Sequence, residues 1–318
     1  MTYRCAVLDD YQQVALKMAD WSALKGRVEV TVFDRFMADD PNLAETLAPF
    51  EIICIMRERT PFRRELFAKL PNLKLLVTTG ARNAAIDLAA AKEHGVTVCG
   101  TEGHGHPTAE LALGMMLALA RHIPSESRRL AEQGLWQSSV GIDLKDRTLG
   151  VLGLGRLGGR LARAALALDM KVIAWSQNLT PEKCAEQGVG YVSREELFRQ
   201  SDFLSVHVVL SDRSRGLVGA DELALMKPSA FLINTSRGEI VDQDALVAAL
   251  KGGKLAGAAV DVYDKEPLPK GHVLFGVPNL LMTPHLGYVT EDNYRTFYSQ
   301  TVEDIAAWLD GKPVRALG

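Results

Sequence analysis

Gly150-Val151-Leu152-Gly153-Leu154-Gly155-Arg156-Leu157-Gly158 places glycines at 153, 155 and 158, a G-x-G-x-x-G spacing. Alone that spacing is weak, because glycines are common and a tight structural turn would use them equally well. Its setting gives it meaning. The apolar run Thr148 to Leu152 before it reads as a strand, and Leu161, Ala164, Ala165 and Leu168 after it share one side of a helix. In such a strand, turn and helix, Gly153 makes the turn, Gly155 lets the backbone approach a pyrophosphate, and Gly158 lets helix and strand pack closely. Amides at the helix start, from Arg156 and Leu157, then face the phosphates. The expectation is a dinucleotide site.

The following strand, Lys171 to Trp175, delivers position 176, where an NAD site usually carries Asp or Glu on the ribose 2′-hydroxyl. Ser176 stands there, followed by Gln177 and Asn178. A missing carboxylate removes the repulsion against a 2′-phosphate, yet no arginine sits beside it in sequence to attract one. Both NADP and NAD fit this reading, with the balance toward NADP.

Strands continue outward from the motif, near Asp202–Val206, Phe231–Ile233, Gly257–Val260 and Leu280–Met282, alternating with helical segments. An earlier series, Ala6–Leu8, Val28–Phe33, Ile52–Ile55, Leu73–Val77 and Val96–Cys99, is separated by helix-like stretches such as 61–70 and 86–94. Two runs of βαβ units predict an α/β chain with two doubly wound parallel sheets. A Gly- and Pro-bearing loop, Thr101 to Pro107, leads into a long helix between the two series. Thr108 is expected to cap that helix, Glu110 to sit in its first turn, and Leu111, Met115, Leu119 and Ile123 to continue its apolar face. The tail from Thr290 to Leu309 reads as an amphipathic helix through Tyr294, Phe297, Val302, Ile305 and Trp308, returning to the first domain. The expected division is 1–101 plus 288–318 as a discontinuous flavodoxin-like, substrate-binding domain, and 102–287 as a Rossmann dinucleotide domain.

The 318 residues are 47% apolar and 24% charged with a net charge of -3, enough to bury a large core and, at this length, two domains. That balance gives no electrostatic reason to expect nucleic acid or an anionic membrane as partner. The longest apolar stretch, Leu111 to Ala120, is about half of the roughly 20 residues that a span needs. The first residues lack the pattern of a secretory signal, so a cytoplasmic protein is expected. Cys5, Cys54, Cys99 and Cys184 show no C-x-x-C spacing and read as buried reduced thiols.

Three residues follow strand-like segments in the last third of the chain. Arg237 comes after Ala230-Phe231-Leu232-Ile233-Asn234-Thr235-Ser236, Glu266 after Gly257-Ala258-Ala259-Val260-Asp261-Val262-Tyr263, and His285 after Leu280-Leu281-Met282-Thr283-Pro284. Carboxyl ends of strands are where chemistry collects in an α/β sheet. Singly, each residue is more often a surface or capping group. Downstream of a dinucleotide motif, a cation, a carboxylate and an imidazole form a candidate catalytic set.

Together the glycine motif, Asn234-Thr235-Ser236-Arg237-Gly238, the Gly257 to Tyr263 segment, Glu266-Pro267 and Thr283-Pro284-His285 resemble the D-isomer-specific 2-hydroxyacid dehydrogenase family, over nearly the full length. The resemblance implies two Rossmann-like domains with a cleft between them, a homodimer, NAD or NADP as cofactor, and a small 2-oxo or 2-hydroxy acid as substrate, of the glyoxylate and hydroxypyruvate type. It implies that Arg237 clamps the substrate's carboxylate and carbonyl, that His285 exchanges a proton with the carbonyl oxygen while hydride is transferred, and that Glu266 fixes the His285 tautomer. Substrate-side positions are Arg57 and the Gly80-Ala81-Arg82 loop, whose amides form a small anion nest. Arg57 alternatively pairs with Glu58 or Glu65, and Arg82 either reaches the cleft or points to solvent. Extra cations at these two positions would suit a larger or doubly anionic substrate. Asp261 matches an acceptor for the nicotinamide amide, with a purely structural hydrogen bond as the other reading. Thr108, Thr235 and Gly287 match positions near the cofactor, and His207 lines its adenine side or is a plain loop histidine. His104 and His106 lack the further ligands that a metal site needs and read as hinge or substrate-shaping residues. A different class stays open as well: a dinucleotide-sensing, corepressor-like binding protein on the same scaffold.

Overall fold

A computed structural model describes Thr2–Gly318 and divides the chain into two units, one of residues 1–104 with Thr290–Gly318 and one of Gly105–Val289. In the first, strands β1 (Tyr3–Val7), β2 (Val28–Val32), β3 (Ile52–Ile55), β4 (Leu75–Thr78) and β5 (Thr97–Gly100) form one sheet in the order β2-β1-β3-β4-β5. All pairings are parallel, and β3 and β4 are buried along their whole length, as expected for a sheet covered on both faces. The strand order reverses between β1 and β3, so the segments following those strands, at Asp9–Asp10 and Arg57–Arg59, flank the switch point of this sheet.

The helix Glu291–Leu309 belongs to this unit and buries Tyr294, Phe297, Tyr298, Val302 and Ile305, packing on β4 and on the turn at Trp21–Leu24. Past it the chain runs along β5. The Leu317 amide donates to the Val98 carbonyl, and the Gly100 amide donates to the Arg315 carbonyl. Two separated stretches of sequence therefore share one core.

In the second unit β6 (Thr148–Leu152), β7 (Lys171–Trp175), β8 (Gly190–Tyr191), β9 (Phe203–Val206), β10 (Phe231–Asn234), β11 (Gly257–Val260) and β12 (Leu280–Met282) form a parallel sheet in the order β12-β11-β10-β9-β6-β7-β8. The order turns between β6 and β9, the crevice in which doubly wound sheets take their ligands. The glycine motif follows β6 and His207 follows β9, so both stand at that crevice.

One helix departs from the sequence reading at both ends. It spans His106–Ala120 with Gly105 before it and Pro107 in its first turn, so Thr108 lies inside the helix and does not cap it. The helix also stops short of Ile123. Pro124 has no amide to offer the Ala120 carbonyl, which accepts from the Ile142 amide instead, and His122 takes a left-handed backbone (φ 53°). A separate helix, Ile123–Gln133, then begins with Ile123 exposed. Cys5, Cys54, Cys99 and Cys184 are all buried free thiols, and no helix among the described residues is long and apolar enough to cross a membrane.

Candidate active site

Strands β10, β11 and β12 are neighbours, and their carboxyl ends deliver the three candidate residues in turn. After β10, the Asn234 carboxamide ties the loop by accepting from the Ser236 amide (3.0 Å) and donating to the Arg237 carbonyl (2.9 Å). Gly238 follows because a Cβ there would lie 2.2 Å from the Tyr263 carbonyl carbon. Arg237 is half-buried, and its guanidinium donates to the Ser236 carbonyl (2.8 Å). Its long arm is thus braced by the turn that carries it.

After β11, Glu266 has both carboxylate oxygens engaged. Oε1 accepts from the Tyr263 amide (2.9 Å) and Oε2 faces His285 Nδ1 at 2.5 Å. A carboxylate can only accept, so Nδ1 carries the proton of that contact and Nε2 becomes the position for proton exchange. His285 itself has a left-handed backbone (φ 54°), uncommon outside glycine. The buried Asp261 holds it there. Asp261 Oδ1 accepts from the Thr283 hydroxyl (2.6 Å) and the Leu286 amide (2.7 Å), and Oδ2 accepts from the Gly287 amide (2.8 Å). Burial holds the Asp261 carboxyl above its ordinary range, and those three hydrogen bonds offset only part of the rise. The Tyr263 hydroxyl adds a bond to the Thr283 carbonyl (2.8 Å), and Thr108 donates to the Gly287 carbonyl (2.9 Å) from the neighbouring helix. The loop 283–287 is therefore gripped on both sides of the imidazole.

At the crevice between β6 and β9 lies a cavity of about 460 Å³, lined by Gly153, Gly155, Ser176 and His207, with Lys183 and Arg213 among its other walls. The glycines test what it is shaped to hold. Gly153 has φ 104° and packs against the His207 backbone, and a Cβ on Gly158 would lie 2.2 Å from the Gly153 carbonyl oxygen, so the protein itself requires both. A Cβ on Gly155 would meet nothing within 4 Å. Open space in front of a bare backbone, at the start of the helix Arg156–Ala167, fits a pyrophosphate approaching the chain. Thr235 adds a buried hydroxyl with no partner at the end of β10. His207 binds Ser205 through Nε2 (2.8 Å), and desolvation lowers its pKa to about 4, leaving a neutral ring at the cavity wall. The Arg156 side chain turns elsewhere, against Gly105.

The substrate-side candidates form a knot in the first unit. Arg57 adopts φ 50°, its amide donates to the Thr79 hydroxyl (2.9 Å), and its guanidinium donates to the Thr79 carbonyl (3.1 Å). That guanidinium lies where a Cβ of residue 80 would be, and the φ of 91° at Gly80 is a backbone conformation that favours glycine. It also pairs with Glu58 (3.6 Å). Asn83, which sequence reading passed over, binds the Arg57 carbonyl (2.6 Å) and the Thr78 hydroxyl (2.8 Å). Ala81 and Arg82 are exposed. His104 is held by Thr296 through Nε2 (3.0 Å), and His106 opens the helix His106–Ala120.

Residues 113–287 match the family model described as D-isomer specific 2-hydroxyacid dehydrogenase, NAD binding domain. The chain belongs to this family. A glyoxylate reductase of Thermococcus litoralis is 37% identical over 259 residues, covering 78% of each chain. A D-3-phosphoglycerate dehydrogenase of Archaeoglobus fulgidus is 36% identical over 82% of this chain, which spans only 50% of that protein. Among solved structures, a phosphoglycerate oxidoreductase from Vibrio cholerae superposes with a TM-score of 0.92 at 37% identity, covering 98% of this chain and 100% of that one. The D-2-hydroxyacid dehydrogenase scaffold is thus present over nearly the whole length, and the Gly105–Val289 unit contains all the residues that match the family's NAD-binding domain.

Lys183 and Arg213 are the charged cavity residues that sequence reading missed. Lys183 lies seven positions beyond Ser176 and Arg213 follows a different strand, so no local spacing links either cation to the ribose position.

Proposed function

We propose that this D-2-hydroxyacid dehydrogenase reduces a small 2-oxo acid to the D-2-hydroxy acid with NADPH, with His285 as general acid/base, Glu266 as its orienting partner and Arg237 as the substrate clamp. The observation that carries the reading is the His285–Glu266 contact on a loop locked by Asp261, which reserves one imidazole nitrogen for proton exchange. When bound, the reduced nicotinamide supplies the hydride. The chain's own residues do the rest. A ketone cannot accept hydride until its developing oxyanion is stabilised. Arg237 offers a planar guanidinium to the carboxylate and carbonyl, and His285 Nε2 delivers the proton to that oxygen. In the opposite direction Nε2 takes the proton back.

The glyoxylate and hydroxypyruvate type is the proposed substrate class, in keeping with the glyoxylate reductase among the relatives. In the first unit, Arg57 with the amides after Gly80 offers a site for an anionic group of the substrate. NADP is preferred because Ser176, not a carboxylate, lines the cavity at the end of β7.

His285→Ala tests the assignment by separating chemistry from binding. Turnover is expected to fall by about 10² to 10⁴-fold, the usual range for a lost general acid, while dinucleotide affinity stays within about twofold. Near-normal turnover in this variant would refute the role.

A further inference from the structure

The 460 Å³ cavity is lined by charge of one sign only. Lys183 and Arg213 are both among its lining residues, and no Asp or Glu is. They come from separate parts of the unit. Lys183 is on the short helix Pro181–Ala185, whose start is fixed by Thr180, the side chain of which accepts from the Lys183 amide. Arg213 is on the loop after β9, where the Ser214 hydroxyl donates to the Val209 carbonyl (2.7 Å) and accepts from the Ser211 amide (2.8 Å). Ser176, Gln177 and Asn178 line the same cavity, directly after β7.

Neither cation is in an ion pair among the described residues, in contrast to their surroundings. Arg215, two positions beyond Arg213, faces Glu239 at 3.7 Å. Two exposed cations without an internal partner, lining the same cavity as the position that meets the ribose in this fold, are available to an anion from outside. A hydroxyl there needs an acceptor, which Ser176 supplies less strongly than a carboxylate. A phosphate needs positive charge and donors, which this cavity supplies.

We infer that Lys183 and Arg213 form a two-cation clamp for the 2′-phosphate of NADP, with Ser176, Gln177 and Asn178 as its neutral polar floor. The inference rests on the NADP reading above and names the residues that enforce it. The lysine acts as a compact point charge and the arginine as a planar fork, so the two are not interchangeable. Discrimination against NAD follows from the missing carboxylate acceptor as much as from the added attraction.

The full-length protein and its Lys183→Gln, Arg213→Gln and double variants are titrated calorimetrically with 2′,5′-ADP and with 5′-AMP, probes that differ only in the 2′-phosphate. Arg215→Gln serves as the control for a nearby arginine that already has a partner. The wild type is expected to bind 2′,5′-ADP at least about 100-fold more tightly than 5′-AMP, and each single substitution to weaken 2′,5′-ADP by about tenfold or more. Affinity for 5′-AMP is expected to stay within about twofold, which also reports that the variants are folded, and Arg215→Gln is expected to match the wild type. Equal wild-type affinity for the two probes would overturn the NADP reading and the clamp together. A wild type that prefers 2′,5′-ADP, with variants that keep the full preference, would leave NADP standing and overturn the clamp.

Discussion

Asp261 commits both carboxylate oxygens to the loop that carries His285, accepting from Thr283, Leu286 and Gly287. Its first job is therefore to hold a strained backbone at φ 54°, whatever it also offers a cofactor. Asp261→Asn keeps the size but replaces one acceptor with a donor that opposes a backbone N–H. A sub-ångström displacement of a catalytic group is costly, so turnover is expected to fall by about 10- to 100-fold with dinucleotide affinity unchanged. Fluorescence titration of the reduced dinucleotide alongside steady-state rates checks this. A weakened dinucleotide with unchanged maximal turnover would instead give the carboxylate a direct cofactor role. Arg237, Glu266 and His285 were legible in sequence because each closes a recognisable strand. The hydrogen bonds that lock the His285 loop were not, since they join residues 22 to 26 positions apart through geometry that no local pattern encodes.

Among the elements, the helix Glu291–Leu309 shows how far periodicity reaches. Its apolar spacing predicts both a helix and a buried stripe, and Tyr294, Phe297, Val302 and Ile305 are buried in the first unit. Ile305 is completely inaccessible. Ile305→Ala removes three carbons from a packed core and is expected to destabilise that unit by about 2–5 kcal/mol, read as a lower urea midpoint of the transition that reports on it. An unchanged midpoint would mean that the helix does not contribute to that core. The same logic misplaced Thr108 and Ile123, because a cap and a helix end depend on which carbonyls find partners. Gly105 and Pro107 set the start, and Ile142 claims the Ala120 carbonyl at the other end. Lys183 and Arg213 escaped for a related reason: strand order, not sequence distance, brings the segments after β7 and β9 to one cavity.

At the scale of the molecule, the helix Ile123–Gln133 buries none of its residues, and Leu130, Trp136 and Val140 on and after it are 49%, 76% and 92% exposed. A segment with several exposed apolar side chains suits a partner surface. The proposed partner is a second copy of the chain, and sedimentation at micromolar concentration is expected to give twice the 34.7 kDa chain mass, with Trp136→Glu shifting it toward the monomer. A wild type that sediments as a monomer would remove the proposal. Oxidation of NADPH is followed with glyoxylate, hydroxypyruvate and larger 2-oxo acids, and the configuration of the chiral products is determined. Substrate-dependent oxidation yielding the D-hydroxy acid is expected; a protein that binds the dinucleotide yet stays silent across the panel would be a sensor on this scaffold and would contradict the proposed reductase activity.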